Sequence, residues 1–139
     1  MRPIAQVSED QGQLLFLPSV FNETLALLFD AHHYFQHRPT AEESRGEGTA
    51  FYASEMTRIT MRLTSVMAWI MVRRAIHAGR LDAQKASRDY RLEGKALCHA
   101  HDAEVLAKLP NHMIYLSERS LSLYERVARL DMLAYGTKH

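Results

Sequence analysis

Residues 50–78 read AFYASEMTRITMRLTSVMAWIMVRRAIHA and contain neither proline nor glycine, and Gly79 follows them directly. Such a stretch favours an unbroken helix that ends at a C′ glycine. Its apolar residues recur on one face at the helical period. They are Tyr52, Met56, Ile59, Leu63, Val66, Met67 and Ile70. The segment therefore predicts a long helix, about Ala50 to Ala78, with this face in a core.

The same helix carries a second stripe of uncharged residues on a different face. The stripe consists of Thr57, Met61, Thr64, Ala68, Met71 and Ala75, at alternating spacings of four and three residues. This spacing is typical of a helix–helix seam, where small side chains let two backbones approach closely. The stripe predicts a second packing surface, either against another helix of this chain or against a second subunit. Both possibilities stay open from the sequence.

Two more long helices are predicted, one before and one after this segment in the sequence. One spans about Val20 to His37 and the other about His112 to Tyr135, because apolar residues recur there every three or four positions. The first series is Phe21, Leu25, Leu28, Phe29, His32 and Phe35, and the last is Met113, Leu116, Ser120, Leu123, Val127, Leu130 and Ala134. Shorter helical segments are expected over 83–90, capped by Asp82, and over 103–109.

The remaining segments complete a single domain over residues 1–139. Residues 1–18 contain prolines and a glycine without a sustained period, which predicts an irregular N-terminal arm. Residues 38–49, RPTAEESRGEGT, predict an exposed, mobile loop. No β pattern competes with the helical ones. The predicted fold class is therefore all-α, a three-helix bundle of long helices with a short accessory helix.

Composition places the chain among globular proteins. Its 139 residues, 47% of them hydrophobic and 24% charged, suit one domain with one core. A net charge of +1 argues against nucleic acid as a partner. The longest uncharged apolar run, 64–72, is far shorter than the roughly 20 residues of a membrane span. With a lone cysteine, Cys98, and no secretory leader, we expect a cytoplasmic protein.

Histidines and the cysteine supply the candidate metal ligands. His33 and His37 are one helical turn apart, and Cys98 and His101 lie close together later in the chain. Two imidazoles with a thiolate and a third imidazole suit tetrahedral zinc, so a metal-binding or metal-sensing helical module is one alternative function. However, no compact motif such as C-x-x-C or H-E-x-x-H is present. Scattered histidines are the favoured interpretation, and no metal or other cofactor is predicted.

Catalytic motifs are absent from the sequence. There is no G-x-S-x-G, no phosphate-binding glycine loop and no paired-carboxylate motif. Cys98 has histidines near it in sequence, but a nucleophilic dyad is a spatial arrangement that such adjacency does not create. We therefore expect no enzymatic activity.

An arginine–tryptophan face on the central helix is the candidate protein-binding site. It consists of Arg58, Arg62, Trp69 and Arg73. Arginine and tryptophan are typical of binding hot spots. The plain alternative is a solvated face whose arginines pair with carboxylates such as Glu55. A further alternative is a nucleic-acid-associated regulator that uses the Arg58–Arg80 stripe, which the balanced charge argues against.

Two segments, TMRLTSVMAWIMVRRAIHAGRL (60–81) and LSLYERVARLD (121–131), resemble the alphaproteobacterial RcdA family, the regulators of CtrA degradation. The resemblance covers most of the chain, from the first helix to Asp131. It implies a three-helix bundle that forms a homodimer. It also implies a non-enzymatic adaptor that helps deliver protein substrates to the ClpXP protease in cell-cycle control, together with a response-regulator-like co-adaptor.

Overall fold

The chain folds into helices in a computed structural model, which describes residues 4–37, 47–92 and 103–135, with side chains at 17–37, 50–86, 88–92 and 103–134. The helices in these ranges are α1 (Ile4–His37), α2 (Glu47–His77), α3 (Ala83–Asp89), α4 (Ala103–Leu106) and α5 (Asn111–Tyr135). No strand occurs in the same ranges. The predicted all-α fold class is confirmed.

Helices α2 and α5 run in the same direction and form the closest pair. Arg62 of α2 donates a hydrogen bond to Ser120 of α5 at 3.1 Å. Farther along both helices, Trp69 donates to Asp131 at 3.0 Å. Because later residues of α2 meet later residues of α5, the two helices are parallel.

Helix α1 packs against both α2 and α5. Its Glu23 pairs with Arg126 of α5, and its Asp30 lies 2.7 Å from His112 near the start of α5. Later residues of α1 therefore meet earlier residues of α5, so α1 runs antiparallel to that helix. Each of the three long helices contacts the other two.

The core contains the predicted inner faces of α2 and α5. Ile59, Val66 and Ile70 of α2 are fully buried, as are Leu116 and Leu123 of α5. Burying a side chain of this size contributes about 1.5–3 kcal/mol relative to leaving it exposed. Most of the predicted core positions on these two helices are confirmed; the exceptions are Met56, Met67, Leu130 and Ala134, which are half-buried.

Helix α1 starts earlier than predicted. It begins at Ile4 rather than near Val20, so residues 4–18 are helical instead of forming an irregular arm. Pro18 lies inside this helix, where a proline removes one backbone hydrogen bond. Leu17 and Val20 are buried on either side of it. Their packing offsets the local cost, since tertiary burial rather than propensity supplies most helix stability.

The buried face of α1 also differs from the predicted one. The residues that point into the core are Val20, Thr24, Leu27 and Ala31, whereas the predicted series lies one residue later. Phe29, predicted to be inside, is 65% exposed. Because α1 contacts two helices, apolar residues flank the buried stripe on both sides. The apolar face of α1 is therefore wider than its buried part, and the sequence alone does not show which apolar residues are buried.

The predicted C′ glycine of α2 and the predicted N-cap of α3 are confirmed. Gly79 adopts a φ of +76°, and the N–H of Arg80 donates to the carbonyl of Ala75 at 2.9 Å, as in a Schellman motif. The carboxylate of Asp82 accepts a hydrogen bond from the N–H of Gln84 at 2.9 Å. Asp82 therefore caps α3 as predicted.

Some of the predicted features lie in parts of the chain that the structure does not describe. The predicted mobile loop 38–49 lies outside the described residues, except for 47–49, which begin α2. Cys98 and His101 are also outside them. Among the helices that the structure describes, none combines the length and the hydropathy of a membrane span.

Candidate interaction surface

The predicted arginine–tryptophan face lies mostly inside the molecule. Arg62 is fully buried, Trp69 and Arg73 are each 4% exposed, and Arg58 is half-buried. The prediction of an exposed face is therefore wrong for three of these four residues. The physical reason is the position of α2, which packs against α1 and α5 and has little surface left on that side.

Arg62 is the centre of a buried polar network between α2 and α5. Its Nη1 donates to the carbonyl oxygen of Ser117 and to Oγ of Ser120, both at 3.1 Å, and lies 3.5 Å from Oε1 of Glu55. The hydroxyl of Ser117 donates to the same Glu55 oxygen. A buried guanidinium is tolerated when a carboxylate and hydrogen bonds compensate its lost hydration. The network therefore joins α2 to α5 at the level of Arg62 through buried hydrogen bonds.

A second buried network involves a carboxylate that the sequence did not single out. Asp131, 5% exposed, accepts hydrogen bonds from Trp69 Nε1 at 3.0 Å and from Arg91 Nε at 2.9 Å. The Arg73 guanidinium carbon lies 5.5 Å from the Trp69 ring centroid. One carboxylate thus holds both the tryptophan of α2 and the segment that follows α3.

A signal for these buried charges exists in the sequence. The inner positions of α2 recur at alternating spacings of three and four residues. They are Tyr52, Glu55, Ile59, Arg62, Val66, Trp69 and Arg73. They form a heptad series of their own, in which Glu55 and Arg62 stand one heptad apart. Opposite charges within a core-facing heptad indicate a buried pair rather than a solvated face.

The uncharged stripe of α2 lies on the outside. Thr57, Thr64, Ala68 and Met71 are exposed, while Met61 and Ala75 are half-buried. The neighbouring exposed residues are Ala50, Ala53 and Thr60. Every exposed residue of α2 between positions 50 and 71 is therefore uncharged. A helix face that meets only water normally carries charged and polar side chains, so this composition is unusual.

The threonines of this region keep their hydroxyls inside the helix. Oγ1 of Thr57 donates to the carbonyl of Ala53 at 2.9 Å, Thr60 to Met56 at 2.9 Å, and Thr64 to Thr60 at 2.8 Å. Each hydroxyl therefore already has a partner on its own helix. An apolar surface can cover these residues without leaving a donor unsatisfied.

A groove of about 440 Å³ adjoins the stripe. Its lining residues are Thr64, Ser65, Ala68, Trp69 and Val72 of α2 and Asp89, Tyr90 and Arg91 after them. Thr64 and Ala68 belong to both the groove and the stripe. Because Asp131 bonds Trp69 and Arg91 together, the two walls hold a fixed separation, and Tyr90 is 42% exposed at the rim.

The described residues add no support to either alternative function, the nucleic-acid-associated regulator or the metal-binding module. The arginines of the Arg58–Arg80 stripe do not form a continuous exposed surface, since Arg62 and Arg73 are buried and Arg74 stacks on the Phe21 ring, 4.1 Å from its centroid. Within the ranges that the structure describes, no group of three or more histidine, cysteine or carboxylate side chains is placed to hold a metal ion.

Most of the chain matches a protein-family model. Residues 11–139 match the family model described as Protein of unknown function (DUF1465). No curated protein and no solved structure matches the chain.

Proposed function

The chain belongs to the DUF1465 family, and we propose that it is a non-enzymatic adaptor that binds proteins through the uncharged stripe of α2. The observation that supports this function most is the run of exposed but uncharged residues from Ala50 to Met71. Small side chains, methionines and internally bonded hydroxyls make a surface whose burial costs little polar desolvation. Such a surface suits association with another helix.

The first partner in this proposal is a second copy of the chain. A twofold interface brings the same patch of each subunit together, so an uncharged patch meets an uncharged patch. The spacing of four and three residues along the stripe suits the packing of one α2 against another. The protomer in this proposal is a three-helix bundle of α1, α2 and α5, with α3 and α4 as accessory helices.

The cellular role in this proposal is delivery of protein substrates to the ClpXP protease in the cytoplasm, with a response-regulator-like co-adaptor. Its support is the resemblance of residues 60–81 and 121–131 to the RcdA family. The first segment contains most of the stripe, and the second ends at Asp131, which positions the groove wall. The groove beside Trp69, which has both apolar and charged residues in its lining, offers a preformed surface next to the stripe for a protein partner.

Ala68→Glu tests this proposal because Ala68 is exposed in the middle of the stripe and borders the groove. A charge there leaves folding unchanged but has to be desolvated in any complex. We expect self-association, measured by light scattering over a concentration series, to weaken at least about tenfold, or roughly 1.4 kcal/mol. Delivery of a substrate in a reconstituted ClpXP assay should fall in parallel.

Ala26→Glu is the matched control, since Ala26 is an exposed alanine on α1, away from the stripe. It should keep both association and delivery. Circular dichroism and thermal melting should show both variants folded as the unmodified protein is. Full association and full delivery by a folded Ala68→Glu variant would contradict the proposal.

A further inference from the structure

Two histidines near the end of α1 lie together on the surface. His33 and His37 are both exposed, and their rings stack with centroids 4.3 Å apart and planes inclined by 29°. Residues four apart on a helix share a face. Rotation of each exposed ring about its Cβ–Cγ bond, out of the stacked position, turns both in-plane lone pairs toward one ion on that side. An ion in solution reaches them directly, without an entry path through the protein.

A hydrogen bond sets the tautomer of one of these rings. Nδ1 of His37 lies 2.9 Å from the backbone carbonyl oxygen of His33. A carbonyl oxygen only accepts, so Nδ1 carries the proton, and the lone pair of the neutral ring is on Nε2. Metal-ligating histidines are held in the same way, with one ring nitrogen donating to a carbonyl or carboxylate and the other free for the ion.

From this arrangement we propose that His33 and His37 form a surface chelating site for a divalent transition metal ion such as Zn²⁺ or Ni²⁺. Imidazole nitrogen is a ligand suited to these ions. Two protein ligands leave the remaining coordination positions to water, so the ion is exchangeable, unlike one in a structural zinc site with four protein ligands. The site needs neither Cys98 nor His101, and it does not depend on the proposed adaptor function.

Metal titration of the full chain tests the site, with NiCl₂ or ZnCl₂ alone followed by isothermal calorimetry. His33→Ala and His37→Ala should each weaken binding at least about tenfold, because each removes one of two ligands. Lowering the pH should also weaken binding, because protons compete for the same lone pairs. His32→Ala is the matched control, since His32 is also exposed but lies on a different face of α1. The metal affinity of this variant should equal that of the unmodified chain.

Nitrogen-resolved NMR of the histidine rings gives a second, independent measurement. We expect the metal-free His37 ring to carry its proton on Nδ1, and addition of the ion to perturb the His33 and His37 signals before those of His32. Equal affinity in the unmodified chain and in a His33→Ala/His37→Ala double variant would overturn the proposal. A proton on Nε2 of His37, or no metal uptake at all, would overturn it as well.

Discussion

The two faces of α2 reverse the usual distribution of charge on a helix. The inner face contains Glu55, Arg62 and Arg73, all buried, whereas the outer face is uncharged from position 50 to position 71. Arg62 and Glu55 of the inner face bond to serines of α5, while the outer threonine hydroxyls bond to carbonyls of their own helix. The face of α2 that packs within the chain therefore differs from its exposed face in where its hydrogen bonds go, to α5 on the inner side and to the same helix on the outer side.

Loss of Arg62 should have the largest effect on this arrangement. Arg62→Met leaves Glu55 buried without the guanidinium at its Oε1 atom. Removing one member of a buried ion pair typically costs about 3–5 kcal/mol, and we expect a decrease of that size in the free energy of unfolding, measured with urea. Arg58→Met, at a half-buried position of the same helix, is the control and should cost less than about 1 kcal/mol.

A paired replacement shows whether the inner charges stabilise the fold or only specify its register. Replacing a whole buried ion pair by apolar residues of similar volume is often neutral or stabilising. The double variant Glu55→Leu/Arg62→Met should therefore recover most of the stability that Arg62→Met loses. If the double variant is as unstable as the single one, the bonds from Arg62 to Ser117 and Ser120 carry the stability instead.

The next largest effect is expected at Asp131, which joins the inner face to the groove. Asp131→Ala removes one hydrogen bond from Trp69 and one ion pair from Arg91, whose side chain is 6% exposed. Hydrogen bonds to charged groups contribute about 1.5–3 kcal/mol. We therefore expect the free energy of unfolding to decrease by about 2–3 kcal/mol.

Trp69 also reports on this change, because it is the single tryptophan of the chain. Its fluorescence emission should shift to longer wavelength in Asp131→Ala as the ring gains contact with water. Asp89→Ala, which removes an exposed carboxylate from the same groove, should leave both the emission and the stability unchanged. An unshifted emission in Asp131→Ala would show that packing alone holds the tryptophan in place.

How far the sequence predicts the fold differs from helix to helix. On α2 and α5 polar residues separate the periodic apolar ones, so most of the buried apolar positions are predictable from the sequence, whereas the buried Arg62 and Trp69 are not. On α1 the run Leu27, Leu28 and Phe29 offers three adjacent apolar positions. Only contacts with two other helices decide that Leu27 is buried and Phe29 exposed, and such contacts are not encoded in the local period.

Part of the candidate site is predictable from the sequence and part is not. The uncharged stripe was recognisable, because its spacing and composition are local properties of α2. The burial of Arg62 and Trp69 was missed, because their partners Ser117 and Asp131 are more than fifty positions away in sequence. Long-range hydrogen bonds reverse the expectation that arginine faces water.

The smallest effect on stability, and the sharpest test of the outer face, is expected at Thr64. Thr64→Val keeps the shape of an exposed side chain and removes a hydroxyl that donates to the carbonyl of Thr60 at 2.8 Å. Stability should change by less than about 0.5 kcal/mol. Since the hydroxyl is already satisfied within the helix, an apolar partner does not need it, and self-association should stay equal or become tighter.

Thr64→Asp, similar in size but charged, should weaken association at least about tenfold. If Thr64→Val weakens association as much as Thr64→Asp does, the hydroxyl must leave its own helix to bond the partner, and the outer face would be a polar contact rather than an apolar one.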